Sequence, residues 1–82
     1  MVIKILGKGC AKCKHLEELT HQVLDELGMA VEIVKVTDMD EIMQYDILST
    51  PGLVINESVV SSGRIPRKEE IREWVQTVSL TL

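Results

Sequence analysis

Apolar positions change their period several times along this chain, and each change marks an element. Val2-Ile3-Lys4-Ile5-Leu6 is a nearly unbroken apolar run and reads as a buried strand. Beyond two glycines, Leu16, Leu19, Val23, Leu24 and Leu27 recur at helical spacing, with polar residues on the other face. With Gly28 as a stop, they predict a helix over roughly residues 11–27. Val31-Glu32-Ile33-Val34-Lys35-Val36 returns to a strand pattern. Strand, helix and strand in succession imply a right-handed crossover and a parallel pair, and both strands have the apolar runs of strands covered on two sides. Asp38-Met39-Asp40-Glu41 resembles a capping box with Asp in the Ser/Thr place, opening a short helix that turns Ile42 and Met43 inward.

The stretch from Ile47 to Gly52 breaks that helix. Leu53-Val54-Ile55 and Val59-Val60-Ser61 are then two strands divided by Asn56-Glu57-Ser58, a spacing that demands an antiparallel hairpin. Glu57 stands where tight hairpins favour Gly, which predicts a strained turn. Gly63 and Pro66 punctuate the exit. A last helix runs from about residue 67 into the high 70s, with Ile71, Trp74, Val75 and Val78 on one face. The order is β-α-β-α-β-β-α, an α/β chain whose four-stranded mixed sheet has helices on both faces. Without a repeat or a linker, residues 1–82 read as one domain.

Composition narrows the function classes. A hydrophobic share of 45% and a net charge of -4 suit a soluble globular domain. The acidic balance, with no basic stripe and only Tyr45 and Trp74 aromatic, argues against nucleic-acid binding. The core must therefore be Val, Ile, Leu and Met, and the methionines read as core fillers. No apolar stretch is long enough to span a membrane, and the N-terminus lacks the layout of a signal peptide. A cytoplasmic location is the default expectation.

In that compartment, a close pair of cysteines is more often catalytic or metal-binding than a staple. Both cysteines of the chain, Cys10 and Cys13, fall at the junction of the first strand and the first helix. Unpaired N–H groups in the first helical turn favour a thiolate there. Lys8, Lys12 and Lys14 surround the pair while Glu17, Glu18, Asp25 and Glu26 lie further along, the reverse of a helix charged for stability. A local rule broken at one place marks a functional site. Side chains three apart on a helix have Cβ atoms roughly 5–6 Å apart, and a disulfide prefers about 3.8 Å, so a bridge closes with a small adjustment and stays reducible. Gly7 and Gly9 allow a sharp turn and leave room for a partner's backbone. His15 and His21 lie off the apolar stripe and read as surface residues rather than ligands, with His15 close enough in sequence to the cysteines to stay a candidate. Two other readings compete: inert buried thiols, and a small soft-metal carrier.

Cys10-Ala11-Lys12-Cys13 after the first strand, Ser49-Thr50-Pro51-Gly52 before the hairpin and Gly63-Arg64-Ile65-Pro66 after it carry a family resemblance. The chain resembles the thioredoxin fold in its glutaredoxin-sized form, above all the short redox-active disulfide proteins of archaea and bacteria. The resemblance implies a thiol–disulfide oxidoreductase with Cys10 as nucleophile and Cys13 as resolving thiol. It implies a cis Thr50–Pro51 bond packed beside the cysteines, and substrate contacts from Gly9, Ala11, Lys12, Thr50 and Pro51. It further implies protein disulfides as substrates, a thioredoxin-reductase-like electron donor, no cofactor, no metal and a monomer.

The departures are specific. Gly9 replaces the family's Trp, and Ala11-Lys12 its Gly-Pro. Six positions before the first cysteine, where thioredoxins keep a buried acid, stands Lys4, so proton handling must differ or go through solvent. Glutaredoxins grip glutathione with an acid near the last helix; Ser62-Gly63-Arg64 has none, which implies that glutathione reduces this chain poorly. Heavy-metal carriers also hold a Cys-x-x-Cys, but with Met-Thr before it and a final strand; here Lys8-Gly9 precedes the pair and the chain ends in a helix.

Overall fold

Strand β1 (Val2–Leu6) lies inside a four-stranded sheet of order β2-β1-β3-β4, which explains why its sequence is so apolar. The structure, a computed structural model, describes residues 1–9, 11–47 and 49–80, the last two by backbone alone. After β1 come α1 (Ala11–Leu27), β2 (Glu32–Val36), α2 (Met39–Met43), β3 (Gly52–Ile55), β4 (Ser58–Ser62) and α3 (Lys68–Leu80). β1 runs parallel to β2 and antiparallel to β3, and β3 pairs antiparallel with β4.

The alternation of side chains along β1 and β3 divides the core in two. Ile3, Ile5, Leu53 and Ile55 face α1 and α3, where they meet Leu16, Val23, Leu24, Ile71 and Val75. Leu6 and Val54 face the other way, with Val36 and Ile42 of α2. Each such side chain contributes about 1.5–3 kcal/mol when fully buried. Thr20 is buried within the apolar stripe of α1 because its Oγ1 donates to the Leu16 carbonyl at 2.8 Å. α1 stops at Gly28, whose φ of 66° no β-carbon-bearing residue adopts cheaply. The Met29 N–H returns to Leu24 O at 3.0 Å and the Gly28 N–H to Asp25 O at 3.2 Å, the paired bonds of a Schellman cap. Asp38 caps α2 by accepting from the Asp40 N–H at 2.8 Å.

Three sequence expectations need correction. β2 is an edge strand, with Glu32 and Lys35 exposed, and is not covered on both sides as its apolar run implies. Met43 is 64% exposed and does not turn inward: α2 has only five residues and one inward position, Ile42. Met39 is likewise 44% exposed, so two of the methionines are surface residues rather than core fillers, whereas Met1 and Met29 pack against the core.

At the hairpin, Asn56 and Glu57 both have positive φ, 48° and 68°. This is the geometry of a two-residue turn that favours Asn-Gly. The Asn56 N–H donates to Val2 O at 2.9 Å, and the Val2 N–H to Asn56 Oδ1 at 3.0 Å. What holds glutamate in an unfavourable backbone region is its side chain. Glu57 ion-pairs with Lys4 Nζ at 2.6 Å and accepts from the Tyr45 hydroxyl at 3.1 Å, while Lys4 donates to that hydroxyl at 2.8 Å. The bond to Lys4, then that to Tyr45, holds the Glu57 carboxyl below its ordinary range; Glu57 first and Tyr45 second hold Lys4 above its own. Glu57→Gly relieves the backbone but loses the ion pair, so its thermal midpoint is expected to stay near the parent's. In a Lys4→Met background the same substitution should raise the midpoint. A drop there would show that the turn is not strained.

Charge pairs tie the helices. Glu26 of α1 meets Lys68 at 2.5 Å and also Arg72, both of α3. Glu70 receives both arms of Arg64, at 3.1 and 2.8 Å, and the Arg67 N–H at 3.1 Å. These bonds, Arg64's first, lower its carboxyl from 4.5 to about 2. A folded-state value below the unfolded one favours folding above pH 4.5, and that contribution disappears as pH falls through 2. The urea midpoint of the parent should therefore fall between these two values, and Glu70→Gln should make the fall shallower. Parallel curves for the two proteins would refute this.

Candidate active site

The site forms where β1 hands over to α1. Cys10 lies outside the described residues, as does Leu48 in the loop opposite. Cys13, third in α1, turns inward and is 5% exposed, whereas Ala11, Lys12 and Lys14 on either side are exposed. The first turn of α1 contains no acid, so the exposed amines of Lys8, Lys12 and Lys14 set the local charge.

Cys13 sits against bare backbone. A β-carbon on Gly7 would collide with Cys13 Sγ and stand 3.3 Å from Cys13 Cβ and 3.8 Å from Thr50 Cβ. Glycine here is thus a matter of space: the sulfur occupies what would be a side chain's place. The same point shows that Cys13 and Thr50 flank Gly7 together. Gly7 itself continues the sheet, its N–H donating to Val36 O at 3.0 Å. Gly9 is exposed, and apart from its neighbours in the chain no described atom lies within 4 Å of the position its Cβ would take.

The opposite wall is the loop before β3. Thr50 is exposed, Pro51 is buried, and the peptide bond between them is cis. Pro51 O accepts from the Gly63 N–H at 3.0 Å, and Gly63, with φ 77°, packs so closely on Ser49 that any Cβ would strike Ser49 Oγ. The β4 exit thus holds the loop from behind. Next to it Met39, Ile42, Met43, Ile47, Ser49 and Thr50 line an open groove of about 350 Å³.

A smaller cavity of about 60 Å³ lies beside Cys13, lined by Gly7, Cys13, Lys14, Glu17, Lys35 and Thr37 together with Ile5 and Gly9. Within this lining, Glu17 and Lys35 form an ion pair at 3.4 Å. Sequence reasoning passed over both residues. Glu17 stands four after Cys13, hence on the same helical face, which was a usable signal. Lys35 joins them only because β2 pairs Lys35 with Ile5.

Lys4 proves to have no part in this site. It faces α2, bonded to Tyr45 and Glu57, and the β1 residue that borders the Cys13 cavity is Ile5. Counting six positions back from Cys10 therefore reaches a residue on the wrong side of the sheet. Among the described residues, no group of three or more His, Cys, Asp and Glu side chains is placed to hold a metal. None of their helices is long and apolar enough to cross a membrane.

The chain that seats a buried sulfur on a glycine beside a proline loop is similar to known proteins. The model of the thioredoxin domain family matches residues 1–76. A thioredoxin of Methanocaldococcus jannaschii is 44% identical over 94% of this chain and 88% of its own length. A thioredoxin of Methanothermobacter thermautotrophicus is 37% identical over 89% of this chain and 95% of its own. In fold, the chain superimposes on thioredoxin 1 of Thermosipho africanus with a TM-score of 0.59, at 15% identity, over 99% of this chain and 98% of that one.

Proposed function

We infer, since the chain belongs to the thioredoxin family and is a thiol–disulfide oxidoreductase, that Cys10 and Cys13 carry its reaction as nucleophile and resolving thiol. The observation behind this division is the burial of Cys13 against Gly7 beside Thr50. A sulfur so buried does not meet a protein substrate first, which leaves the attack to the cysteine three residues earlier in the sequence.

Cys10 thiolate attacks one sulfur of the partner's disulfide. A Cys10–partner bond forms, the partner's S–S bond breaks, and its other sulfur leaves as a thiolate that takes a proton from solvent. Cys13 then loses its proton and attacks Cys10 Sγ. The intramolecular disulfide forms, the second partner thiol departs, and two electrons have passed from the dithiol to the partner. Gly9, Ala11 and Lys12 on one wall, and Thr50 with Pro51 on the other, are the substrate-binding surface. The openness at Gly9 and the exposure of Thr50 support backbone pairing with an extended segment, which serves several partners.

In this reading the substrates are protein disulfides and the oxidised form is recharged by a thioredoxin-reductase-like donor. Residues 1–82 work as a single domain, monomeric and in the cytoplasm. The discriminating experiment incubates the purified protein with insulin and dithiothreitol and assays its metal content. Catalysed reduction without bound metal is the expected result; stoichiometric zinc or copper(I) with no reduction would favour the carrier instead.

A further inference from the structure

When Cys13 attacks, its nearly buried thiol must lose a proton. Cys13 is 5% exposed, and the β1 residue beside it, Ile5, has no titratable group. The cavity beside it is lined by one carboxylate, Glu17. We propose that Glu17 is the proton acceptor for Cys13 in the resolving step, with Lys35 orienting its carboxylate. The inference rests on the oxidoreductase reading above and names the base which that reading needs.

Three observations carry it. First, Glu17 lies one helical turn after Cys13, so both side chains project from α1 toward the same side. Second, both line one cavity of about 60 Å³. A water requires roughly 10–15 Å³ measured in the same way, so there is room for water to bridge a thiol and a carboxylate. Third, Glu17 is held. Its side chain is 21% exposed and paired at 3.4 Å with Lys35, which reaches it from β2 on the α1 side of the sheet through the Ile5–Lys35 register. The titratable groups sharing the cavity are Cys13, Lys14, Glu17 and Lys35. Glu17 is the one acidic side chain in this lining, and it stands with the amines of Lys14 and Lys35.

The step balances. The Cys13 S–H proton passes through water to Glu17, and the Cys13 thiolate bonds to Cys10 Sγ. The Cys10–partner bond breaks, and the departing partner thiolate recovers a proton from solvent, to which Glu17 releases its own.

A nitrobenzoate aromatic disulfide tests this, because it releases one coloured thiolate when Cys10 attacks and a second when Cys13 resolves the adduct. In Glu17→Gln the first phase should match the parent. The second should slow about tenfold at neutral pH, at or below the modest end of the roughly 10²–10⁴-fold range of general bases. The loss should shrink as pH approaches the ordinary thiol value of about 8.5, where solvent takes the proton unaided. Glu17→Asp should restore most of the rate. Far-ultraviolet circular dichroism checks that each variant is folded. Equal second phases for the parent and Glu17→Gln at every pH would overturn the inference while leaving the oxidoreductase reading intact. A parent that gives no second phase at all would overturn both.

Discussion

Cys10→Ser is expected to reduce protein-disulfide reduction to background, whereas Cys13→Ser should attack a partner once and then stay covalently attached to it. The asymmetry follows from where the sulfurs stand. Cys13 lies 5% exposed over Gly7, so a partner disulfide cannot reach it in line without displacing α1. With serine at position 10 no thiolate is presented, and the rate should fall by roughly three orders of magnitude or more, as when other covalent nucleophiles are removed. With serine at 13 the first step survives, but nothing nearby expels the partner. Non-reducing gels of the two variants mixed with oxidised insulin read this directly: an adduct with Cys13→Ser, none with Cys10→Ser. The reverse pattern would exchange the two roles.

Gly7→Ala should damage activity almost as severely, although residue 7 contributes no functional group. Its new Cβ would have to occupy the position of Cys13 Sγ and would stand 3.8 Å from Thr50 Cβ. Either the first turn of α1 lifts from the sheet or Gly7 moves and strains its bond to Val36 O. Overpacking of this kind costs about 1–3 kcal/mol. The larger effect is on rate, since a displacement of about 1 Å at a reacting atom can cost on the order of a hundredfold. Insulin reduction and thermal unfolding measured on the same preparation separate the two effects. A variant with parental turnover would show that Cys13 does not need its seat on Gly7.

Much of this was legible in advance, for reasons that differ from element to element. Val2–Leu6 and the leucine stripe of α1 declare themselves because burial there is strong and periodic. β3 begins at Gly52 and β4 spans Ser58–Ser62, each wider than its apolar residues suggest. Glycine and serine join a ladder through their backbones while adding nothing to a hydrophobic pattern. Met43 deceived because a helical period was assumed over a helix too short to possess a second buried position. The cysteine pair was readable from local chemistry, and the Thr50–Pro51 loop only through the family resemblance. Glu17 with Lys35 was not, since their meeting depends on the register between β1 and β2, which no local pattern encodes.

The bond from Gly63 to Pro51 bears on how this chain tolerates being rebuilt. Segments between elements are the usual places for a tag or an inserted peptide, and surface turns accept them most readily. The connection after β4 is exposed for much of its length and would look suitable, yet its first residue is the rear support of the Thr50–Pro51 loop. Any side chain at position 63 meets both an unfavourable φ and Ser49, so an insertion there would be felt at the cysteines. The turn after α1 is the better graft site. Gly28 and Ala30 are exposed, and the length of α1 between Cys13 and Gly28 places the turn roughly 22 Å from the Cys13 sulfur.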